Sequence, residues 1–374
     1  MAGVPLDSWE AVGARVALAR ERAGFTQREL AELIGIDRSA LTRIEQGKRR
    51  LDVLELTRLA GQLGRPAPWF MTASPDVILS HRSDLSGDQD SERLADQLEL
   101  IWRDVELLLD VQSLPLPEAA LHAGVSTAAE AEAGAAEARR LLGVTGPIHD
   151  LQAAVEAVGL LAFALDLGPA VVDGGYIRAG HIGIALVNGS AEPGRRRFTL
   201  AHELGHHLLA DEYTTDFGIG TSRSDREALI DTFAINLLLP RADVQARWTE
   251  LAREYEDPRS CLIVLAAEYR VSWSAAVSQA ACLDLISRAE VEPLKMRRPK
   301  YADYFALKVR FVEELQPISL APAYSQAAVR AYRRGLITVD RAVELLRRTV
   351  GAEDLLPPPE DHIESLAREF DDLR

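Results

Sequence analysis

Long apolar runs, cysteine and lysine are what this 374-residue chain has least of. No stretch of about eighteen consecutive apolar residues occurs, which excludes a membrane-spanning helix. Residues 1–7 carry neither the basic flank nor the apolar core of a secretory signal. The two cysteines, Cys261 and Cys282, cannot build a disulfide framework. Both lie in apolar helical stretches and read as small buried side chains in a reducing compartment. The expectation is a cytoplasmic protein without a membrane partner. Only four lysines are present (48, 295, 300 and 308), so the cations are nearly all arginine. A net charge of −15 argues against a protein that coats nucleic acid along its whole length. The charge is unevenly spread, however: residues 1–70 hold eleven Arg/Lys and nine Asp/Glu, which leaves −17 for the remainder.

The length predicts two or three domains. Residues 8–70 read as short helices separated by tight turns. Val12, Val16 and Ala19 recur at helical spacing before Gly24. Thr26-Gln27-Arg28-Glu29 is a capping box, and Leu30, Leu33 and Ile34 are assigned the inner face of the helix it opens. Asp37 caps a third helix with Ala40, Leu41 and Ile44 inside and Gly47 at its end. Leu51, Leu54, Leu56 and Leu59 line further helices, and Pro66 and Pro68 close the unit. Helix, short turn, helix is the helix-turn-helix pattern.

Residues 71–90 are polar and turn-rich, a linker or surface excursion. Leu94, Leu98, Ile101, Val105 and Leu108 mark a long amphipathic helix, and an alanine-rich stretch over 127–138 marks another. From about residue 144 the pattern turns strand-like, over 158–167, 175–178 and 182–187. Two long helices follow, 197–209 and 225–239, the second ending at Pro240. The rest is helical, with a proline break at 356–359. The expected fold is mainly α with an α+β centre. Its boundaries are 1–72 for the helix-turn-helix bundle, 73–143 for a linker and connecting helices, 144–296 for the α+β domain and 297–374 for a C-terminal helical region.

The chemistry concentrates in His202-Glu203-Leu204-Gly205-His206. Positions i and i+4 share a helix face, so His202 and His206 can hold one cation between two imidazoles. Glu203, one step round, can act as general base toward a water on that cation. The pattern alone would arise by chance in about one chain in a hundred of this length. Its neighbourhood is apolar, with Phe198, Ala201, Gly205 and Leu208 beside the histidines. A catalytic zinc needs a third protein ligand and one open position. Glu227 and Asp231 lie one turn apart on a helix that is apolar nearly all round from 228 onward. A buried carboxylate needs a cation or a hydrogen-bonded mate. Glu227 as third ligand and Asp231 as orienter of a ligand histidine supply both. The alternative, a first-turn acid favoured by the helix dipole, suits Asp225 and Glu227 but not Asp231. His207, about 100° round from His206, is assigned to packing, and Asp211 and Glu212 to a solvated turn. His181, near the strands, is left unassigned.

Arg197 through His207, with Glu227, Phe233-Ala234 and Leu237-Leu238-Leu239-Pro240, resemble the ImmA/IrrE family of metallo-endopeptidases. The likeness runs over roughly 145–290. It implies a zincin-like metallopeptidase domain, zinc (or manganese) held by His202, His206 and Glu227, and cleavage of a regulatory protein, often in a phage or stress-response setting. Family members usually carry asparagine where this chain has Asp231. Residues 12–70 resemble the XRE/Cro helix-turn-helix. That likeness implies that the third helix enters the major groove of an operator, with Arg38, Ser39, Thr42 and Arg43 near base edges and Gln27, Lys48, Arg49 and Arg50 near phosphates. A degenerate module used for protein contact is the alternative. Residues 297–374 resemble a small helical appendage common after such domains.

The leading expectation is a cytoplasmic, DNA-binding regulator, able to form a homodimer, whose zinc-dependent endopeptidase domain cleaves a partner such as a repressor. A transcription factor with a structural or sensory metal site, or a toxin–antitoxin component, stands as the alternative. Glu203 favours the enzyme, because a purely structural site needs no general base. Strand 182–188, close before the metal helix, is expected to offer a free edge to an extended substrate.

Overall fold

The computed structural model describes residues 8–65, 67–71, 88–117, 125–168, 172–179, 182–209 and 223–357. Residues 72–87, and with them most of the expected linker, lie outside that set, as do His181, Asp211 and Glu212. The chain divides into two compact units, Met1–Val77 and Ile78–Arg374.

In the first unit α1 (Trp9–Arg22), α2 (Gln27–Ile34), α3 (Arg38–Glu45) and α4 (Val53–Leu63) surround one small core. Thr26 and Glu29 form the expected capping box, and Gly35 ends α2 at φ 75°, a left-handed conformation that glycine adopts without steric cost. Leu30, Ile34, Leu41, Ile44 and Leu59 are buried. Leu33 is not: it is 49% exposed, because α2 turns Leu30, Ala31 and Ile34 inward and leaves Leu33 beyond that face. Leu54 at the start of α4 is likewise exposed. Their places in the core are taken by Trp69 and Phe70, fully buried on a short 3-10 turn (Ala67–Phe70) near the end of the unit. The Arg15 guanidinium lies 3.8 Å over the Trp69 ring, and its Nε donates to the Trp69 carbonyl at 2.6 Å.

The second unit is built on three strands, β1 (Leu160–Leu165), β2 (Gly174–Ala179) and β3 (Ile182–Asn188). Their order is β1-β3-β2, with β1 parallel and β2 antiparallel to β3. β3 is therefore the central strand, buried along its whole length, and offers no free edge. Its continuous apolar run has no polar alternate positions, as expected of a strand covered on both faces. Before the sheet come α5 (Asp88–Asp110), α6 (Ala128–Leu141) and the short α7 (Leu151–Ala154). After it come α8 (Pro193–Leu208), α9 (Arg223–Leu238), α10 (Arg241–Glu254), α11 (Pro258–Tyr269) and α12 (Trp273–Cys282). The C-terminal helices are α13 (Arg288–Met296), α14 (Tyr301–Ala306), α15 (Pro322–Arg333) and α16 (Val339–Leu345). Among the described residues no single helix is long and apolar enough to cross a membrane.

The two faces of the sheet follow from strand alternation on β2. A Cβ at Gly175 would meet Leu94 and Leu98 of α5, whereas a Cβ at Gly174 would meet Thr199 of α8. Hence α5 covers one face and α8 the other. The outer edge of β1 is capped at Ala164, which exchanges two backbone hydrogen bonds with Ser319. Among the described residues no strand pairs with the outer edge of β2.

Residues beyond Met296 also reach the heart of this unit. Glu314 forms an ion pair with Arg197 (2.6 Å) and accepts from Arg270 (2.6 Å), and Arg197, 1% exposed, donates to the Ile148 carbonyl at 2.8 Å. Burial lowers the Arg197 pKa and Glu314 opposes that, so the carboxylate is what keeps a charge there tolerable. Replacing Glu314 with alanine leaves two guanidinium groups facing each other. Glu314→Ala is expected to cost about 3–5 kcal/mol in urea unfolding, and Glu314→Gln distinctly less. Equal stability of the alanine variant and the parent would refute this account.

Candidate metal centre

α8 opens with Pro193 in its first turn, and its residues from Thr199 to Leu208 are buried without exception. His202, Glu203 and His206 are at most 4% exposed. α9 packs alongside, closest at Gly205, where a Cβ would lie 3.0 Å from both Ile230 and Phe233. A glycine here lets the two helices approach closely enough for a side chain of α9 to reach the histidines.

That side chain is Glu227. Its Oε2 lies 3.1 Å from His202 Nε2 and 3.8 Å from His206 Nε2, and the two imidazole nitrogens are 3.1 Å apart. These are the three groups that converge as potential ligands among the described residues, and all their ligand atoms lie within 4.8 Å of one another. Bonds of roughly 2.0–2.1 Å to one tetrahedral ion would put its donor atoms about 3.4 Å apart. The observed triangle has sides close to that, so two imidazoles and one carboxylate fit a single divalent ion without rebuilding the site.

Asp231, one turn beyond Glu227, lies with its Oδ1 2.9 Å from His202 Nδ1. A carboxylate there fixes the proton on Nδ1 and turns Nε2 toward His206 and Glu227. Burial by itself would lower the pKa of His202. The hydrogen bonds to Asp231 and Glu227, with the charge of Glu203 nearby, outweigh it and raise the pKa to about 9. Burial would raise the pKa of Glu227, but hydrogen bonds from His202 and His206 hold it far below the usual carboxylate range. Both shifts say that the pocket demands positive charge.

His207 faces away from this triangle and ties α8 to the sheet. Its Nε2 donates to the Val158 carbonyl at 2.8 Å, and its Nδ1 accepts from the Tyr176 hydroxyl at 2.8 Å. Burial pushes its pKa down to about 4, so the ring is neutral, and burial likewise holds the Tyr176 phenol protonated as a donor. β3 passes beneath at Gly183, where a Cβ would lie 2.5 Å from His207 Nδ1. The sequence reading placed His207 in packing but missed Tyr176, Val158 and Gly183. The nearest available signal was a lone tyrosine in a strand immediately after the glycine pair Gly174-Gly175.

In the first unit Arg38, Ser39 and Arg43 are exposed along α3, while Thr42 is half-buried. Thr42 donates to Gln27 Oε1 at 3.1 Å and Gln27 Nε2 donates to Glu45 at 2.6 Å, which locks α2 against α3. Arg49 is paired with Glu55 at 2.7 Å, and Lys48 and Arg50 are exposed beside it. Arg38, Arg43 and Arg50 make no ion pair among the described residues.

Comparison with known proteins is consistent with both units. Residues 155–279 match the peptidase M78 family model, described as the IrrE N-terminal-like domain, and residues 16–70 match a helix-turn-helix model. No curated protein matches the chain. Among solved structures, the restriction-modification controller protein C.AhdI from Aeromonas hydrophila is 29% identical over 17% of this chain and 94% of its own, with a TM-score of 0.16. PlcR from Bacillus thuringiensis, solved with the peptide PapR7 and DNA, is 10% identical over 96% of this chain and 98% of its own, with a TM-score of 0.17. ComR from Streptococcus suis is 14% identical over 91% of this chain and 87% of its own, also at 0.17. At such TM-scores these structures carry no argument about the arrangement of the whole chain. The chain thus carries a helix-turn-helix match in its first unit and, in its second, a match to the IrrE N-terminal-like domain model of the M78 peptidases.

Proposed function

We propose that this chain is a cytoplasmic DNA-binding regulator, able to form a homodimer, whose second unit is a zinc-dependent endopeptidase that cleaves a regulatory protein such as a repressor. The observation that carries the reading is the convergence of His202, His206 and Glu227, with Glu203 on the same buried helix. Manganese would fit the same donors.

A divalent ion on these donors supplies Lewis-acid activation of a water and polarisation of a peptide carbonyl. Glu203, one residue after His202, takes the proton of the attacking water and passes it to the departing amine. Asp231 holds the His202 ring in the tautomer that leaves Nε2 free to donate its lone pair. Since β3 is central, an extended substrate would instead add to the outer edge of β2, through backbone hydrogen bonds. Tyr176 and Arg178 share the α8 face of that strand. Edge addition requires an exposed or unfolded loop, which favours cleavage at one accessible site over general digestion. An operator-reading domain on the same chain would raise the local concentration of a repressor bound at that promoter.

On the DNA side, α3 would enter the major groove. Arg38, Ser39, Thr42 and Arg43 would meet base edges, and Gln27, Lys48 and Arg49 would sit near phosphates. The bonds of Gln27 to α3 and of Arg49 to Glu55 make these two better suited to holding the module in register than to seeking phosphate alone.

One divalent ion per chain is expected. His206→Ala should lose it, whereas Glu203→Gln should keep it and abolish cleavage of the partner repressor. Undiminished metal in His206→Ala, measured by elemental analysis, would remove the basis of the assignment. Metal retained in Glu203→Gln together with unchanged cleavage by both proteins would leave a site of structural or sensory use only.

Metal uptake should also depend on pH. Below about 9 the His202 ring carries a proton that an incoming ion must expel. Apparent affinity is therefore expected to rise about tenfold per pH unit between pH 6 and 8, with about one proton released per ion bound. Calorimetry in buffers of different ionisation enthalpy reads that proton directly. No release at pH 7 would contradict the protonated state.

For DNA, Arg43→Ala should weaken a cognate site by about tenfold or more while sparing non-specific binding. Lys48→Ala should weaken all duplexes alike and reduce the salt slope by about 0.9. Indifference of both variants in a titration against the chain's own promoter region would favour a protein-contact role for the module.

A further inference from the structure

Three of the four lysines of this acidic chain fall within residues 295–308. Over 295–310 they join Arg297, Arg298 and Arg310, so that six cations face the single acid Asp303, in a protein of net charge −15. Asp303 is already taken: Arg259 of α11 grips both of its oxygens, at 3.1 and 2.8 Å. Lys295 lies 3.6 Å from Glu292, and Arg298 makes an exposed pair with Glu192. Arg297, Lys300, Lys308 and Arg310 are exposed and make no ion pair among the described residues.

Apolar side chains are interleaved with these cations. α14 is held by its inward side, where Tyr304 and Leu307 pack on the main core and Asp303 meets Arg259. Tyr301 and Phe305, one helical turn apart, stand on the outward side at 83% and 77% exposure, with Met296 at 84% beside them in sequence. The fold does not bury these rings.

We infer that α14 and its flanks form a second nucleic-acid contact, which takes a single strand. Arg297, Lys300, Lys308 and Arg310 meet successive phosphates, and bases stack on Tyr301 and Phe305. Exposed cations without an ion pair, flanking in sequence two exposed, planar rings, are the elements of a sequence-tolerant single-strand platform. An anionic membrane would also attract the cations, but interfacial helices bury an extended apolar face, and the six residues of α14 offer two rings only. The contact needs neither the metal centre nor the helix-turn-helix.

The test uses the full-length protein and a fluorescently labelled single-stranded oligothymidine, read by anisotropy between about 50 and 200 mM salt. Binding that weakens with salt is expected from the parent. Tyr301→Ala combined with Phe305→Ala should lower affinity at least about tenfold, and Tyr301→Trp alone should preserve it. Lys300→Gln, Lys308→Gln and Arg310→Gln together should reduce the salt slope by about 2. Arg43→Ala in the first unit should leave single-strand binding unchanged. The inference fails if the parent does not bind, or if the ring and cation variants bind as the parent does. It also fails if Arg43→Ala alone removes binding, which would assign the contact to the helix-turn-helix. A loss confined to flotation with phosphatidylserine–phosphatidylcholine vesicles would make the patch a membrane contact and overturn it too.

Discussion

The approach of α8 to α9 at Gly205 sets what this protein can do. Two helices carrying ordinary side chains at their contact sit 8–10 Å apart. Here the only atom between backbone and neighbour is a hydrogen, and Ile230 and Phe233 fill the space a methyl group would need. Glu227 lies on the same helix as those two residues, less than one turn before Ile230. Its carboxylate reaches His202 Nε2 at 3.1 Å across this contact. Widening the contact by a few tenths of an ångström would lengthen 3.1 and 3.8 Å separations that already match the edges of one coordination tetrahedron. A small residue between the two histidines is thus part of the donor geometry, although it bears no donor.

The second constraint fixes α8 from the other side. His207 cannot turn, because each ring nitrogen has its own partner on a different element, the Val158 carbonyl before β1 and the Tyr176 hydroxyl on β2. Gly183 removes the side chain that would otherwise occupy that space. Neighbouring histidines therefore divide the labour. His206 faces the acid of α9, and His207, neutral and buried, sets the rotation of the helix about its axis. A helix so clamped between sheet and partner helix presents His202, Glu203 and His206 in one orientation, which is what preorganisation of such a site requires.

How much of this could be read from the chain alone depends on the range of the signal. Two histidines four apart, and two acids one turn apart on an otherwise apolar helix, are local patterns, and each names its face without knowledge of the fold. The amphipathic period of α5 is local in the same sense. The central place of β3 was also legible in principle, since Ile182-Gly183-Ile184-Ala185-Leu186-Val187 lacks the polar alternation of an edge strand. The pairing of Tyr176 with His207 spans 31 residues and two element types, and periodicity carries no trace of it. Leu33 and Trp69 show the limit inside one small core: helical spacing admits Leu33, yet two aromatics past a proline-rich turn fill the volume better. Residues 297–374 read as a helical appendage because the role of Glu314 depends on two arginines far away in sequence.

Electrostatics then explains how acids and imidazoles coexist where α8 meets α9. Glu203, buried, with Glu227, half-buried, and Asp231, more exposed, place three carboxylates around two imidazoles, and the buried part of that charge calls for compensation. A divalent ion supplies two units of it. A proton on His202 supplies one, favoured by its contacts with Asp231 and Glu227. The group that orients His202 Nε2 is therefore also a group that favours a proton on that ring. An asparagine in place of Asp231 would still accept from Nδ1 but would give up its share of the negative charge, and with it part of the hold on that proton. The aspartate shifts this site toward tight retention of positive charge in either form.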